Sequence, residues 1–287
     1  MKIIVCVKQV PDTSGKVAVN PDGTLDRASM QTITNPDDLN AVEAALALKD
    51  ETGCKVVVVT MGPPPAEGML REILARGADE AVLVSGREFG GSDTYATSQI
   101  LAAAINRIGV EADDIIMCGR QAIDGDTAQV GPQIAEKLGL PQVTYAETVD
   151  VKDGVATVKR RIERGFETVE CPLPLVVTVN GTADACRPRN AKLVQRCKYA
   201  VTPSEKAKLS EEEQKFVDAH ENLQIKEWGA SDIDADPNQI GHPGSPTNVK
   251  AVVNVVFQAK ESKKLDGTNN AELEDLVKEL IADHIIG

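Results

Sequence analysis

The sequence lacks the long apolar run that a membrane span requires, and it is poor in aromatic residues and in histidine. No apolar stretch approaches the ~20 residues that cross a bilayer. Aromatic residues make up 3% of the chain, so little of its function is expected to depend on aromatic stacking. Its three histidines, His220, His242 and His284, are scattered late in the chain. They indicate neither a zinc site nor a catalytic triad.

Positive charge is also scarce, with 31 lysines and arginines against 44 aspartates and glutamates. The net charge of −13 argues against general binding to nucleic acid or to an anionic membrane. The six cysteines form no Cys-x-x-Cys pair, and reduced thiols in a cytoplasmic protein explain them best. The first eight residues are too short for a signal-peptide core and are typical of a strand.

Four short apolar runs alternate with segments of helical spacing. The runs are Ile3–Val7, Lys55–Thr60, Ala81–Val84 and Ile115–Cys118. This alternation predicts a doubly wound parallel α/β sheet with right-handed crossovers. The loops that leave the four strands then converge at the carboxyl edge of the sheet, where open α/β folds bind nucleotides.

The stretch from Gly119 to Gly131 is the strongest candidate for such a site. Its backbone N–H groups and the helix that follows can hold a phosphate, and Thr127 is predicted to cap that helix. Asp124 and Asp126 would repel a bare phosphate unless they meet ribose hydroxyls or backbone donors. An ordinary polar loop explains the same spacing equally well.

A second glycine-rich loop, Phe89–Thr94, half-matches the Ser-Gly-Gly-x-Asp-Ser phosphate loop of ATP pyrophosphatases, which would indicate an adenylating enzyme. The match is weakened because Phe89 replaces the leading serine and because the loop follows the third long strand. A glycine-rich loop that opens a helix can still cradle the diphosphate of a dinucleotide. The alternative is a tight turn in which Ser92 or Asp93 caps the helix.

Asn35-Pro36-Asp37-Asp38 is typical of a helix start. Asn35 can cap the helix, Pro36 suits its first position, and the two aspartates complement its dipole. Gly53 is predicted to end this helix. Capping alone accounts for the stretch.

Beyond Val143 the hydrophobic period changes to that of shorter strands, which predicts an antiparallel extension. The predicted strands are Val143–Val151, Val155–Ile162 and Glu167–Glu170, with turns at Asp153-Gly154 and Arg164-Gly165-Phe166. A basic patch follows, for which a solvated helix face is the default interpretation and docking the lesser one. It comprises Arg187, Arg189, Lys192, Arg196 and Lys198.

The last third of the chain cannot close a core alone. Ser204–Ala219 is a charged helical segment, Gly229–Asn248 is an irregular linker, and an amphipathic helix that begins near Leu273 ends the chain. We therefore predict a nucleotide-binding α/β domain over residues 1–200 and a C-terminal arm over 201–287 that packs on another subunit.

Several blocks of the sequence closely resemble the β (small) subunit of electron transfer flavoproteins. They are Val5–Lys8, Asn35-Pro36 with Ala41–Ala45, Gly77–Asp79, Gln121–Asp126 with Gln129–Gly131, and the later signature Val158, Arg160, Glu163, Gly165, Glu167, Val169, Pro174 and Val176–Thr178. Arg164 departs from the usual residue there and puts only the shape of that turn in question. Pro188-Arg189 and Leu193 look like the loop that docks the partner dehydrogenase.

The resemblance implies a sheet of the adenine-nucleotide α-hydrolase-like type and a heterodimer with a larger α subunit. It also implies a set of cofactor-binding positions. These are Cys6, Asn35, Pro36, Asp37, Asp38, Met61, Ala122, Ile123, Asp124, Gly125, Asp126, Thr127, Ala128, Gln129, Val130, Gly131, Pro132 and Gln133.

Members of the family differ in the nucleotide that is bound in the crevice formed by these positions. Ordinary members hold AMP without a redox role, whereas electron-bifurcating members hold a second FAD that takes a hydride from NADH. One electron then goes to ferredoxin or flavodoxin, and the other goes through the α-subunit FAD to an acyl-CoA dehydrogenase of the butyryl-CoA type.

Two loops resemble those of bifurcating members and extend the predicted site. They are Val10–Thr13, which adds Asp12, and Phe89–Thr94, which adds Gly90, Gly91, Ser92, Asp93 and Thr94. The competing interpretations are an ordinary shuttle subunit with structural AMP, a nucleotide-binding regulator of the stress-protein type, and the adenylating enzyme. The antiparallel extension and the long arm argue against the regulator.

Overall fold

The computed structural model describes residues 1–12, 31–220, 223–249 and 262–286. The sequence pattern also predicts a small hairpin, in which Val17–Val19 and Thr24–Asp26 flank the turn Asn20-Pro21-Asp22-Gly23. This segment lies outside the described residues. The chain divides into two compact units, Met1–Lys250 and Ala251–Gly287. Residues 201–249 therefore belong to the first of these units, and an arm over 201–287 that packs on another subunit stays a prediction.

A mixed sheet forms the centre of the first unit. Its strands are β1 (Lys2–Cys6), β4 (Lys55–Met61), β5 (Glu80–Val84), β6 (Ile115–Gly119), β7 (Gln142–Lys152), β8 (Val155–Ile162), β9 (Gly165–Pro172), β10 (Leu175–Val179) and β11 (Lys226–Trp228). Their spatial order is β11-β5-β4-β1-β6-β10-β7-β8-β9. From β11 to β7 the neighbours run parallel, and β8 and β9 continue the sheet antiparallel. The predicted α/β class and its antiparallel extension are confirmed.

Helices cover both faces of the parallel strands. They are α1 (Pro36–Thr52), α2 (Glu67–Leu74), α3 (Thr94–Ile108) and α4 (Val130–Leu138). Helix α5 (Ala191–Cys197) packs on α2, and α6 (Pro203–Lys206) and α7 (Glu211–Asp218) follow, with Val217 of α7 in a small separate cluster. Strands β1, β4 and β6 are buried on both faces, so each reads as a continuous apolar run rather than an alternating one. One core cluster contains Ile3, Val58 and Leu46, and the other contains Ile4, Val59 and Ile105.

The predicted start and end of α1 are confirmed. Pro36 occupies the first turn, and Asp37 and Asp38 follow it near the positive end of the helix dipole. Gly53 ends the helix at φ 70°, and its N–H donates to the Lys49 carbonyl at 2.8 Å. This left-handed position favours glycine.

Some local predictions need correction. Ile162 pairs directly with Gly165, so the second hairpin turns at Glu163-Arg164, and Gly165 and Phe166 already belong to β9. The charged segment Ser204–Ala219 is two helices, α6 and α7, because Ser210 caps the second one in a reciprocal box with Glu213.

Two pairings were not predicted. Short strands β2 (Gln9–Pro11) and β3 (Thr32–Thr34) form an antiparallel pair, and β11 adds to the outer edge of β5. The second unit contains α8 (Asn270–Ala282), whose N-cap is Asn269. Among the described residues, no helix combines the length and apolarity needed to cross a membrane.

Candidate nucleotide site

The exits of β1, β4 and β6 lie side by side at the carboxyl edge of the sheet. Cys6 pairs in register with Val59 and with Cys118, so the chain segments after these residues start at the same height. The N-terminus of α1 packs across this edge, and the turn after β6 leads into α4. The structure thus brings together the predicted positions on α1, on β1 and in the turn before α4.

Asn35 does not cap α1 through its side chain, contrary to the prediction. It is fully buried and instead holds the turn after β6. Its Nδ2 donates to the Gln121 carbonyl at 2.8 Å, and its Oδ1 accepts the Ile123 N–H at 3.1 Å. The amide spans two loops because it has a donor and an acceptor at the distances that the turn requires.

Asp37 and Asp38 are both buried but have different partners. The Asp38 carboxylate accepts the Lys8 N–H at 2.8 Å and the Gly119 N–H at 3.1 Å. Asp37 accepts the Arg120 Nε at 3.2 Å. Burial raises the pKa of Asp38 to about 7, against the lowering effect of its hydrogen bonds.

Glycine is needed at position 119 because there is no room for a side chain, and not because of its backbone angles. A Cβ at this position would lie 2.6 Å from the Asp38 nitrogen and would also contact the Asp38 carboxylate. The close approach of β6 to the start of α1 therefore depends on the missing side chain.

The turn from Ala122 to Gln129 is exposed at its centre, from Asp124 to Thr127, and its two aspartates have partners within the chain. The Ala122 carbonyl accepts N–H groups from Gly125 at 3.2 Å and from Asp126 at 2.9 Å. Asp124 receives the Lys8 ammonium at 2.8 and 2.9 Å, and Asp126 receives the Gln121 amide at 2.7 Å. The Lys8 ammonium compensates the charge of Asp124, whereas the neutral Gln121 amide only orients Asp126.

Two non-glycine residues of this turn have left-handed backbone angles. Asp126 has φ 51° and Ala128 has φ 52°. Each such residue costs about 1 kcal/mol or more, and strain of this kind concentrates at ligand-binding loops.

Helix α4 begins without a side-chain cap. The N-cap position is Gln129, which makes no capping hydrogen bond, so the prediction that Thr127 caps the helix is wrong. Gln129 is held by Thr94, whose Oγ1 donates to its Oε1 at 2.9 Å. Pro132 has no N–H and the Gln133 N–H donates to the Gln129 carbonyl at 3.0 Å, so the open amides of the first turn are those of Val130 and Gly131. Among the described residues, no side chain satisfies these two amides, and such amides suit an anionic group.

The first turn of α4 packs against β10 at Gly131, and Gln133 forms a hydrogen bond to α3. A Cβ on Gly131 would lie 2.5 Å from the Thr178 Cγ2. Gln133 accepts the Ser98 hydroxyl at 3.1 Å, and Pro132 lies between these two contacts. The open helix start is therefore fixed in place by its packing.

Cys6 lies beneath this edge beside Cys118, and both thiols are buried. The Cys6 thiol and burial raise the pKa of Cys118, which keeps that thiol neutral near pH 7. Met61, at the end of β4, is partly buried against the same core cluster. Asp12 follows β2, and its N–H donates to the Gln31 carbonyl at 2.8 Å.

The loop Gly90–Asp93 packs against a later segment of the same unit, residues 241–247. Asp93 caps α3 by accepting the Ala96 N–H at 3.0 Å, and it also accepts the Thr247 N–H and Oγ1 at 3.0 and 2.7 Å. The Gly90 carbonyl accepts the His242 N–H at 3.0 Å, and the Asp93 N–H donates to the Ser245 Oγ at 2.9 Å. Asp93 thus forms the cap that the alternative interpretation describes, and this loop reaches α4 through Thr94.

Two of the five residues of the basic patch, Arg187 and Arg189, have carboxylate partners within the described part of the chain. Arg187 binds Glu43 at 2.8 Å and Asp50 at 2.8 Å, which raises the pKa of its guanidinium. Arg189 lies 3.3 Å from Glu72 and is about half exposed. Leu193 lies on α5, partly buried against the core. Arg187 thus joins two elements, whereas Arg189 remains accessible.

Three residues of the site were not singled out from the sequence. Lys8, Arg120 and Gln121 each pair with an aspartate of the predicted set. Arg120 and Gln121 lie inside the Gly119–Gly131 stretch and Lys8 follows Cys6, so proximity to the motifs was the available signal.

A family model and several relatives of known family match this chain, and they agree with one another. The family model described as "Electron transfer flavoprotein domain" matches residues 22–214. The chain is 50% identical to the acryloyl-CoA reductase electron transfer subunit gamma of Anaerotignum propionicum, over the full length of both chains. It is 42% identical to the caffeyl-CoA reductase-Etf complex subunit CarD of Acetobacterium woodii, again over both full lengths. It is 45% identical to the electron transfer flavoprotein subunit beta of Clostridium acetobutylicum, over 87% of this chain and 86% of that one.

Proposed function

The chain belongs to the electron transfer flavoprotein family as a β subunit, and from that membership we propose that its crevice binds FAD for electron bifurcation. In this function NADH is the hydride donor, and ferredoxin or flavodoxin receives one electron. The other electron reaches an acyl-CoA dehydrogenase through the FAD of an α subunit.

The observation that carries the proposal is the open start of α4 behind a turn whose carboxylates already have partners. The Val130 and Gly131 N–H groups at the start of α4 lack a side-chain cap and can donate to the diphosphate of a dinucleotide. The Lys8 ammonium compensates the charge of Asp124, and the Gln121 amide orients Asp126, which reduces the electrostatic objection to a phosphate here. A Cβ on Gly125 would meet no heavy atom within 4 Å, so the outer side of the turn is open.

The remaining predicted positions support the proposal by shaping the crevice. Asn35 and Asp38 hold the exits of β6 and β1, and Cys6 and Met61 provide apolar floor. When bound, FAD supplies hydride acceptance and one-electron transfer, so the protein provides orientation and electrostatics rather than an acid or a base. Thr94 contributes by fixing Gln129, and direct contact of Gly90, Gly91, Ser92 and Asp93 with a nucleotide remains a prediction.

The partners are proposed on the names of the relatives and on exposed features. Two relatives are named as parts of reductases that act on CoA esters, which supports an acyl-CoA dehydrogenase as partner. Arg189 and Leu193 are the proposed docking residues. An α subunit is the proposed occupant of the exposed apolar stripe of α8, formed by Leu273, Val277 and Ile281.

The test counts the flavin in the full-length chain co-purified with its α subunit under anaerobic conditions. Two FAD per heterodimer, with flavin absorbance bleached by NADH, would support bifurcation. One FAD with extractable AMP and no response to NADH would contradict it and leave an ordinary shuttle subunit.

A matched pair of variants locates the second FAD. Lys8→Met leaves Asp124 without its cation, and we expect it to release one FAD of the two. Lys55→Met removes a lysine of the same exposure, 49%, that pairs with Glu80 at the opposite end of the parallel strands. Retention of both FAD in Lys8→Met would argue against this crevice as the site.

A further inference from the structure

Asp38 connects the two loops that border the crevice, although neither loop is near it in sequence. One carboxylate oxygen accepts the Lys8 N–H, immediately after β1, and the other accepts the Gly119 N–H at the end of β6. The side chain thus fixes both strand exits against the N-terminus of α1. Because both oxygens are occupied by the protein's own amides, Asp38 acts on a ligand through other groups.

The surroundings of Asp38 leave its charge without a cation. It is buried, and among the described residues no basic group lies within 4 Å of it. The nearest cations have other partners, since Lys8 binds Asp124 and Arg120 binds Asp37. The charged and titratable groups of the elements packed around it are Asp37 on α1, Cys6 and Lys8 on or after β1, Cys118 and Arg120 on or after β6, and Asp124 and Asp126 in the turn.

We propose that Asp38 is a positioning residue whose ionised carboxylate sets the spacing of the crevice, so that proton uptake by Asp38 weakens nucleotide binding. This inference rests on the proposed nucleotide site. It differs from a ligand-contact role for Asp38, in which a carboxylate facing a phosphate would repel it.

The two roles predict opposite effects of pH. An ionised carboxylate accepts hydrogen bonds on both oxygens, whereas the protonated form has one hydroxyl oxygen that accepts poorly. Either the Lys8 or the Gly119 amide then loses a good acceptor, and that loop is less well held. A carboxylate that contacted the phosphate directly would instead give tighter binding when it is neutralised.

The probe is AMP, which carries the adenylate group that both alternative cofactors share. Binding is measured by equilibrium dialysis on the full-length heterodimer after its nucleotides are removed in concentrated bromide. The pH range is about 6.5 to 8.5, above the second pKa of a phosphate near 6. We expect wild-type affinity to fall about fivefold to tenfold toward the acid end, the size of one hydrogen bond.

Asp38→Asn tests the assignment directly, since an amide offers one acceptor oxygen at every pH. We expect it to bind AMP about tenfold more weakly than wild type near pH 8.5 and to show no change of affinity with pH. The matched control is Asp114→Asn. Asp114 is also buried and also accepts two backbone N–H groups, from Lys2 at 2.6 Å and Glu111 at 2.9 Å, but at the amino edge of the sheet. It differs from Asp38 in that it also pairs with the Lys2 ammonium at 2.8 Å, so its replacement should destabilise the fold at least as much.

The outcomes separate this inference from the proposed function. AMP affinity that rises on acidification, or an Asp38→Asn variant that binds as wild type does, overturns the positioning role and leaves the nucleotide site standing. An equal loss of affinity in Asp114→Asn overturns it as well, because general destabilisation would then explain both. Wild type that binds no AMP at any pH overturns the proposed site and this inference with it.

Discussion

At the scale of single residues, the crevice is held by side chains whose partners lie more than 80 positions away in the chain. Asn35 reaches Gln121 and Ile123, Asp38 reaches Gly119, and Lys8 reaches Asp124. Each of these bonds joins α1 or the exit of β1 to the turn after β6. Losing one of them therefore disturbs the turn without touching its own sequence.

Asn35→Ala should lower the free energy of unfolding by about 3 kcal/mol, because it leaves the Gln121 carbonyl and the Ile123 N–H without a partner in a partly buried place. Urea unfolding of the chain purified without its α subunit measures this decrease in the free energy of unfolding. Asn40→Ala is the control on the same helix. It removes bonds to the carbonyls of Ala183 and Asp184 at a half-buried position and should cost about 1 kcal/mol. Equal decreases in the free energy of unfolding of the two variants would contradict the claim that Asn35 stabilises the fold more than Asn40 does.

Asp38 should also make stability fall as pH rises. Its folded-state pKa, about 7, lies above the ordinary value of 3.8, mainly because of burial. The folded chain therefore binds this proton more strongly than the unfolded chain does. The stabilisation is complete below about pH 4 and is lost as pH rises through about 7, on the order of 4 kcal/mol in total.

Urea unfolding at several values between about pH 5 and 8 checks this sign. The decline should be present in wild type and missing in Asp38→Asn. A variant with the wild-type slope would show that another group titrates there. Nucleotide affinity is expected to rise with pH while stability falls. Ionisation of Asp38 should therefore strengthen nucleotide binding and lower the free energy of unfolding.

The sequence allowed the elements of this region to be predicted more fully than their contacts. The strand–helix alternation, the start of α1 at Pro36 and its end at Gly53 follow from local patterns and are confirmed. The role of Asn35 is not local. An asparagine before a helix satisfies the capping rule, and only the folded sheet shows that a different pair of backbone groups uses the amide. For the same reason the local pattern predicts Thr127 as the cap of α4, although Gln129 holds that position.

At the scale of elements, α4 is positioned by contacts on two sides. Gly131 lets it approach β10, while Thr94 and Ser98 of α3 hold Gln129 and Gln133. The edge strand β11 was not predicted because three residues, Lys226–Trp228, are too few to give a periodic pattern. Its pairing with β5 depends on a segment that arrives much later in the chain.

Gly131→Ala should displace α4, since the new Cβ would lie 2.5 Å from the Thr178 Cγ2. We expect a loss of about 2 kcal/mol in stability, typical of overpacking, together with weaker AMP binding. The double variant Gly131→Ala/Thr178→Ser removes that methyl group and keeps the hydroxyl that accepts the Tyr145 N–H. It should recover most of both losses. Failure of the rescue would mean that Gly131 is needed for backbone contact with a ligand instead.

At the scale of the whole molecule, the chain has two compact units with different surfaces. The first unit buries two core clusters around its sheet. The described part of the second unit is dominated by α8, on which Leu273, Val277 and Ile281 follow each other at intervals of four residues. These side chains are 37%, 46% and 51% exposed, which supports the proposal that an α subunit covers them.

Val277→Lys should therefore lower the amount of α subunit that co-purifies with the full-length chain, because a charge in the centre of an apolar interface costs about 2 kcal/mol or more. Asp275→Lys introduces the same side chain at a position that is 77% exposed beside Lys278, and it should leave the complex intact. Similar recovery of the α subunit with both variants would contradict the proposed contact of α8.

The position of β11 has a consequence for synthesis of the chain on the ribosome. Strand β5 ends at Val84, but its outer neighbour is completed only when Trp228 has emerged. During that interval a strand with four buried residues, Ala81–Val84, has an open edge. Exposed edges of this kind pair readily with other chains. Nascent chains that stop before residue 226 should thus be aggregation-prone and bound by chaperones, whereas chains that pass it can close the sheet before the C-terminal unit is made.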